Sequence, residues 1–125
     1  MLRLALIVGT GGFLGSVSRF LTSKFVQIHF NSSFPYGTFI VNTIGCLLVG
    51  IFFGFSEKGN LLNSEWRLFL TVGFCGGFTT FSTFAYENYS LLQDKEFFYT
   101  FLYTGLSILL GFLAVYLGSV FTKLF

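Results

Sequence analysis

The sequence predicts an all-α integral membrane protein with four transmembrane helices. Hydrophobic residues make up 54% of its 125 residues and charged residues only 10%. A soluble domain of this length could not bury so much apolar surface. The 15 glycines indicate helices that pack closely, because small residues let helix backbones meet in lipid. The net charge of +2 is too small and too dispersed to indicate nucleic-acid binding.

Four apolar segments are each long enough to cross a bilayer at about 1.5 Å of rise per residue. The most polar connection between them runs from Glu57 to Glu65. Trp66 and Arg67 follow it, as expected of an amphipathic ring and a cation at the membrane surface. The whole chain, residues 1–125, is interpreted as one domain, with predicted helices over residues 4–26, 34–55, 67–91 and 97–120.

The third segment contains an unusual stretch, GFCGGFTTFSTF at residues 73–84. Glycines and hydroxyl side chains are concentrated there, although a helix that only fills lipid needs neither. Irregular backbone survives at membrane depth only where protein or a polar cavity satisfies the freed N–H and C=O groups. We therefore expect the third helix to break mid-membrane, over the Gly76-Gly77 pair and the Thr79-Thr80 pair that follows it. The freed carbonyl oxygens and the negative end of the half-helix dipole would suit a hard cation such as Na⁺.

The positive charges give almost no orientation signal. An even number of spans puts both termini on one side, and the positive-inside rule then compares the cations of the two sides. Such a balanced chain can insert both ways round, which permits an antiparallel dual-topology homodimer, while a fixed topology is the alternative. A second subunit is also expected because four short helices enclose no roomy cavity. One side holds Arg3, Lys58, Arg67 and Lys123, and the other holds Lys24 and Lys95, with Arg19 near it.

Two pairs of glycines are spaced for helix–helix contact in lipid. Gly11 and Gly15 lie one turn apart in the first segment, and Gly50 and Gly54 in the second. Each pair alone is a weak signal in a chain so rich in glycine. Together they predict a compact bundle.

No nucleophile–base pair, phosphate loop or carboxylate pair is present in the sequence, so we do not expect an enzyme. Hydrogen-bond donors instead interrupt apolar helices. Asn42 lies in the middle of the second segment, where an unpaired carboxamide would be costly. Its amide could link two helices or donate to a permeating ion, and the sequence leaves both roles open.

Phe81 and Phe84 are three residues apart and share one helical face. Packing is the ordinary role of a phenylalanine. The positive edge of an aromatic ring, however, attracts an anion weakly, and weak binding suits conduction because an ion must leave as readily as it enters.

The fourth segment carries Tyr103, Ser107 and Gly111 at one-turn spacing, which predicts a polar stripe. Such hydroxyls often bond only to a carbonyl one turn earlier. A stripe on one face favours a lined track instead, and Ser82 and Thr83 could supply its counterpart on the third helix.

Arg19 and Glu87 are the remaining deep charges. Both side chains could extend to the membrane surface. Alternatively, Arg19 raises the anion concentration in a vestibule and Glu87 tunes entry.

Three stretches resemble the Fluc, or CrcB-type, fluoride channels of microbes. They are GGFLGSVSR at residues 11–19, GTFIVNTIG at residues 37–45 and the third-segment stretch at residues 73–84. The resemblance covers the whole chain, with all three motifs in order. It implies an antiparallel homodimer in the cytoplasmic (inner) membrane, with two pores that export fluoride passively and protect the cell from fluoride.

The resemblance also implies roles for individual residues. Asn42 would donate to the ion, Phe81 and Phe84 would be the pore phenylalanines, and Ser82, Thr83, Tyr103 and Ser107 would form the polar track. The carbonyls of Gly76 and Thr79 would hold a structural Na⁺ at the dimer axis, and Arg19 and Glu87 would lie near the pore entrances. Gly111 departs from the family pattern because it has no hydroxyl. A small proton-coupled exporter and a non-transporting membrane assembly protein are the rival interpretations.

Overall fold

The structure, a computed structural model, describes residues 1–59 and 63–125 and is helical in the parts that it describes. Four of its spans are long and apolar enough to cross a membrane, which confirms the prediction of a multi-pass membrane protein. Three of them are continuous helices: α1 (Leu2–His29), α2 (Tyr36–Glu57) and α6 (Phe97–Thr122). Helix α2 begins two residues later than predicted because Pro35 is its N-cap and cannot donate a backbone hydrogen bond.

The third span, Ser64–Gln93, is built from several pieces. It contains α3 (Ser64–Leu68), a π-helix (Phe69–Cys75), α4 (Gly76–Phe78) and α5 (Phe81–Gln93). The break between α4 and α5 falls on Thr79 (φ −86°, ψ 158°) and Thr80 (φ −151°, ψ 114°), both of which are extended. The prediction placed the break from the glycine pair onward, but Gly76 and Gly77 remain helical.

The glycines of α1 and of the third span allow backbone-to-backbone packing. A Cβ atom at Gly15 would collide with the carbonyl oxygen of Phe74 and lie 2.9 Å from the nitrogen of Phe78. Conversely, a Cβ atom at Gly77 would lie 3.0 Å from the Cα atom of Gly12. These glycines therefore set the distance between α1 and the segment that carries the break.

Helices α2 and α6 form a second close pair. A Cβ atom at Gly50 would collide with the carbonyl oxygen of Val115, and one at Gly118 would lie 2.9 Å from the nitrogen of Ile51. A Cβ atom at Gly54 would collide with the side chain of Thr122. Both predicted glycine pairs thus lie in helix contacts.

An aromatic cluster connects the start of α2 with α5 and α6. Phe34, Leu91 and Tyr103 are buried at its centre. The ring centroid of Tyr103 lies 5.5 Å from that of Phe34 and 4.9 Å from that of Phe84. Many other large apolar side chains are exposed on the single chain, as expected where lipid or a second membrane-embedded subunit covers them.

Replacing Gly15 with alanine should destabilise the bundle by about 1–3 kcal/mol, because the added methyl group has to displace backbone atoms. The measurement is the thermal unfolding midpoint of the purified protein in detergent. Gly9→Ala is the matched control on the same helix, since a Cβ atom at Gly9 meets nothing within 4 Å. Equal midpoints for the two variants would contradict the packing described above.

Candidate functional site

The backbone at the break is held by the side chain of Asn42. The Asn42 Nδ2 group donates to the Thr80 carbonyl oxygen at 3.1 Å, and the Thr80 N–H donates to Asn42 Oδ1 at 2.8 Å. This two-point pair satisfies both polar backbone groups of Thr80, as membrane depth requires. Among the described residues, the second N–H of the carboxamide has no acceptor. Asn42 therefore links two helices and still has one donor to offer.

Hydroxyl groups surround the start of α5. The Thr80 hydroxyl oxygen accepts the Thr83 N–H at 3.2 Å and so caps the helix. It also lies 3.1 Å from the Thr83 hydroxyl and 3.3 Å from the Ser82 hydroxyl. Three hydroxyls thus meet at the positive end of a helix dipole, an environment that favours an anion.

Two concave spaces flank the break. The first, which we call the Arg19 cavity, has a volume of about 440 Å³ and is lined in part by Arg19, Thr38, Thr80 and Thr83. The second, which we call the Phe81 groove, has a volume of about 340 Å³. Thr80 lines both, so the Asn42–Thr80 pair adjoins the two spaces. The groove is lined by Asn42, Cys46, Val49, Thr79, Thr80, Phe81, Phe84, Ser107, Ile108 and Val115.

The two phenylalanines lie together on the groove. Their ring centroids are 5.7 Å apart and the ring planes are inclined by 43°. The Phe84 ring packs on Tyr103, whereas Phe81 is 78% exposed on the single chain. One wall of the groove is therefore fixed by packing and the other is open.

The predicted polar stripe of α6 is divided between two places. Ser107 lines the Phe81 groove. Tyr103 does not line it, because its side chain is fully buried and its hydroxyl donates to Glu87 Oε1 at 2.9 Å. Gly111 is buried, and a Cβ atom there would lie 3.5 Å from Cys46 Sγ. Cys46 also lines the groove, and no feature of the sequence distinguishes it from a packing residue.

Glu87 is held between helices and does not extend freely to the surface. Its Oε2 atom accepts the Thr38 hydroxyl at 3.0 Å, and its Oε1 atom accepts the Tyr103 hydroxyl. Glu87 thereby ties α5 to α2 and α6. Because Thr38 also lines the Arg19 cavity, the carboxylate lies directly behind the cavity wall.

Arg19 lines the cavity named after it. Its Nε atom is enclosed, yet it makes no hydrogen bond with the described residues. The guanidinium group consequently adds a positive charge and an uncommitted donor to this cavity.

The carbonyls of Gly76 and Thr79 lie at the end of the first half-helix. In the described residues neither accepts a hydrogen bond from another element. Gly76 is exposed, and a Cβ atom there would come no closer than 4.0 Å to the Thr71 oxygen. Open backbone oxygens fit a hard cation such as Na⁺. In the described ranges, no group of three or more His, Cys, Asp or Glu side chains is placed to hold a metal ion.

Comparisons with known proteins identify the family of this chain. A family model described as CrcB-like protein, Camphor Resistance (CrcB), matches residues 6–119. The chain is 45% identical over 116 residues to a protein of Flavobacterium psychrophilum, covering 93% of this chain and 94% of the relative. It is 52% identical over 118 residues to one of Bacteroides fragilis, covering 89% and 92%. It is 46% identical over 126 residues to one of Azobacteroides pseudotrichonymphae, covering all of both chains.

Each relative is named a fluoride-specific ion channel FluC. This chain belongs to their CrcB family, which is a family of ion channels rather than enzymes.

Proposed function

We propose that this protein is a fluoride-selective channel that exports fluoride passively across the cytoplasmic membrane and so protects the cell from fluoride. The observation that carries the proposal is the pair of spaces on either side of the Asn42–Thr80 hydrogen bonds, both lined by Thr80 and both carrying hydrogen-bond donors. The names of the relatives support fluoride as the ion.

The donors form a sequence that suits a small, strongly hydrated anion. Fluoride enters the Arg19 cavity, where the hydroxyls of Thr80 and Thr83 replace part of its water. The uncommitted N–H of Asn42 receives it next, and the ring edges of Phe81 and Phe84 follow in the groove. No single donor binds tightly, so the ion can leave.

The remaining predicted pore residues divide according to their contacts. Ser107 and Ser82 extend the hydroxyl lining, Ser107 in the groove and Ser82 beside Thr80. Tyr103 acts indirectly by packing against Phe84 and by holding Glu87. Glu87 in turn holds Thr38 at the wall of the Arg19 cavity.

A second copy of the chain completes each pathway. Phe81 is exposed and the groove is open on the single chain, so one subunit provides only part of a closed passage. The two membrane sides carry similar numbers of Lys and Arg residues, which supports two copies inserted in opposite orientations. The two pores would then be related by the two-fold axis. The partners are thus fluoride, membrane lipid and an antiparallel copy of the same chain.

The carbonyls of Gly76 and Thr79 would hold a structural Na⁺ together with the same oxygens of the partner copy. The ion would supply electrostatic attraction between the two broken helices, whose carbonyl ends are negative. The open carbonyls and the exposed backbone at Gly76 support this assignment.

A proton-coupled exporter remains the second candidate because Glu87 is partly buried within the membrane span. Proton-coupled transport needs a carboxylate that binds the proton and the transported species in alternation. Both Glu87 oxygens already accept hydroxyl donors from neighbouring helices, which favours a fixed structural role. A non-transporting assembly protein would account for the glycine contacts but not for the donors along the two spaces.

Purified protein in liposomes should release fluoride rapidly when an ionophore sets a membrane potential, and should not release chloride. The release should be unaffected by a proton gradient, because passive conduction needs no coupled proton. Fluoride and chloride electrodes measure both fluxes. Fluoride release that required a proton gradient would support the exporter instead, and no release of either ion would support the assembly protein.

Phe81→Ile should abolish or greatly reduce fluoride conduction while the protein still assembles. Isoleucine fills much of the volume but has no positive ring edge to meet the anion. Phe101→Ile is the matched control, since Phe101 is 77% exposed and lines neither space. Size-exclusion chromatography checks assembly. Equal conduction by the two variants would show that Phe81 contributes packing only.

A further inference from the structure

We propose that Lys24 is a second, outer cation of the Arg19 cavity that gathers fluoride at the mouth of the pathway. This role rests on the proposed function, because it concerns how the same anion reaches the hydroxyls at the break. Neither the motifs at the break nor the names of the relatives assign any role to Lys24.

Lys24 and Arg19 belong to the same cavity at different depths. Both line it, and they lie on the same helix, five residues apart. At about 1.5 Å of rise per residue, Lys24 is roughly 7–8 Å further along the helix axis, toward the end of α1 at His29. Arg19 is thus the inner cation and Lys24 the outer one.

The Lys24 side chain has a contact that keeps it at the cavity. Its Nζ atom lies 5.6 Å from the centroid of the Phe20 ring, which itself lines the cavity. A cation above an aromatic ring is attracted to the negative face of that ring. This contact favours a lysine at the mouth over one extended fully into water.

The charge of Lys24 is available to an approaching anion. In the described ranges the salt bridge found joins Arg3 to Glu65, so Lys24 is not part of one. No carboxylate lines the cavity; the carboxylate of Glu87 lies behind its wall, where it accepts hydrogen bonds from Thr38 and Tyr103 and makes no salt bridge with Lys24. The other lining residues are neutral: Phe20, Ser23, Gln27, Thr38, Val41, Thr80 and Thr83.

Two cations in such a cavity raise the local anion concentration, because low-dielectric walls focus the field. A lysine suits the outer position. Its ammonium group is a compact, strongly hydrated charge that attracts an anion at a distance. Lys24 therefore increases the entry rate, and the selection of fluoride remains with the donors further in.

The test measures fluoride conductance of the full-length protein in planar bilayers, at fluoride concentrations well below saturation. Lys24→Gln removes the charge, Lys24→Glu reverses it and Lys24→Arg retains it. Each is compared at low and high ionic strength, adjusted with the impermeant salt N-methylglucamine gluconate. Lys95→Gln is the matched control, since Lys95 lies at the same end of the bundle, between α5 and α6, and lines none of this cavity.

At about 10 mM ionic strength, Lys24→Gln should lower the conductance roughly twofold to fivefold and Lys24→Glu should lower it further. At about 300 mM the deficit should largely disappear, because the Debye length falls to a few ångströms. Lys24→Arg and Lys95→Gln should conduct like the wild type, and fluoride selectivity should be unchanged throughout.

Two results would overturn the role of Lys24 while leaving the channel intact. In the first, the wild type conducts fluoride, and both Lys24→Gln and Lys95→Gln have the same conductance as the wild type at low ionic strength. The second is a Lys24→Gln deficit of the same size at every ionic strength, since that indicates a structural defect. A wild type that conducts no fluoride would overturn the proposed function itself, and this role with it.

Discussion

The architecture depends on the pair of hydrogen bonds between the Asn42 carboxamide and the backbone of Thr80. A helix broken at membrane depth exposes polar groups that neither lipid nor distant water can satisfy. A side-chain amide can hydrogen-bond to both a freed N–H and a freed C=O group, because it carries one acceptor and two donors on a single planar group. With both backbone groups of Thr80 satisfied, α5 can begin anew with a hydroxyl cap and present Phe81 and Phe84 to the groove. One carboxamide thus stabilises the irregular backbone and keeps a donor for an ion.

The glycines supply the second constraint. Gly15 and Gly77 bring α1 against the third span at backbone distance, and Gly50 and Gly118 do the same for α2 and α6. Within this close packing, the Arg19 cavity and the Phe81 groove are the two concave spaces that adjoin the break. The exposed Phe81 and the open groove are the structural grounds for proposing a second copy, and the near-equal numbers of cations on the two sides also support it.

The sequence alone predicted the four spans, because the length of an apolar run reflects the thickness of the bilayer and residues such as Trp66 mark its interface. It also located the break to within a few residues. It could not predict the π-helix before Gly76, since no local pattern marks a widened turn that depends on packing against α1. The hydroxyl of Tyr103 was expected in the polar track, but the structure directs it to Glu87. Helical spacing shows which residues share a face and does not show which neighbour meets that face.

The most direct test of the central claim is hydrogen exchange at the break in the Asn42→Leu variant, measured by mass spectrometry on the peptide that contains Thr80. Leucine cannot pair with the Thr80 N–H or C=O, and each unsatisfied buried group costs about 1–3 kcal/mol. The amide of Thr80 should therefore exchange at least roughly tenfold faster than in the wild type. Thr43→Val is the control, because the Thr43 hydroxyl bonds only to the Phe39 carbonyl within α2. Unchanged exchange in Asn42→Leu would contradict the claim that Asn42 holds the break.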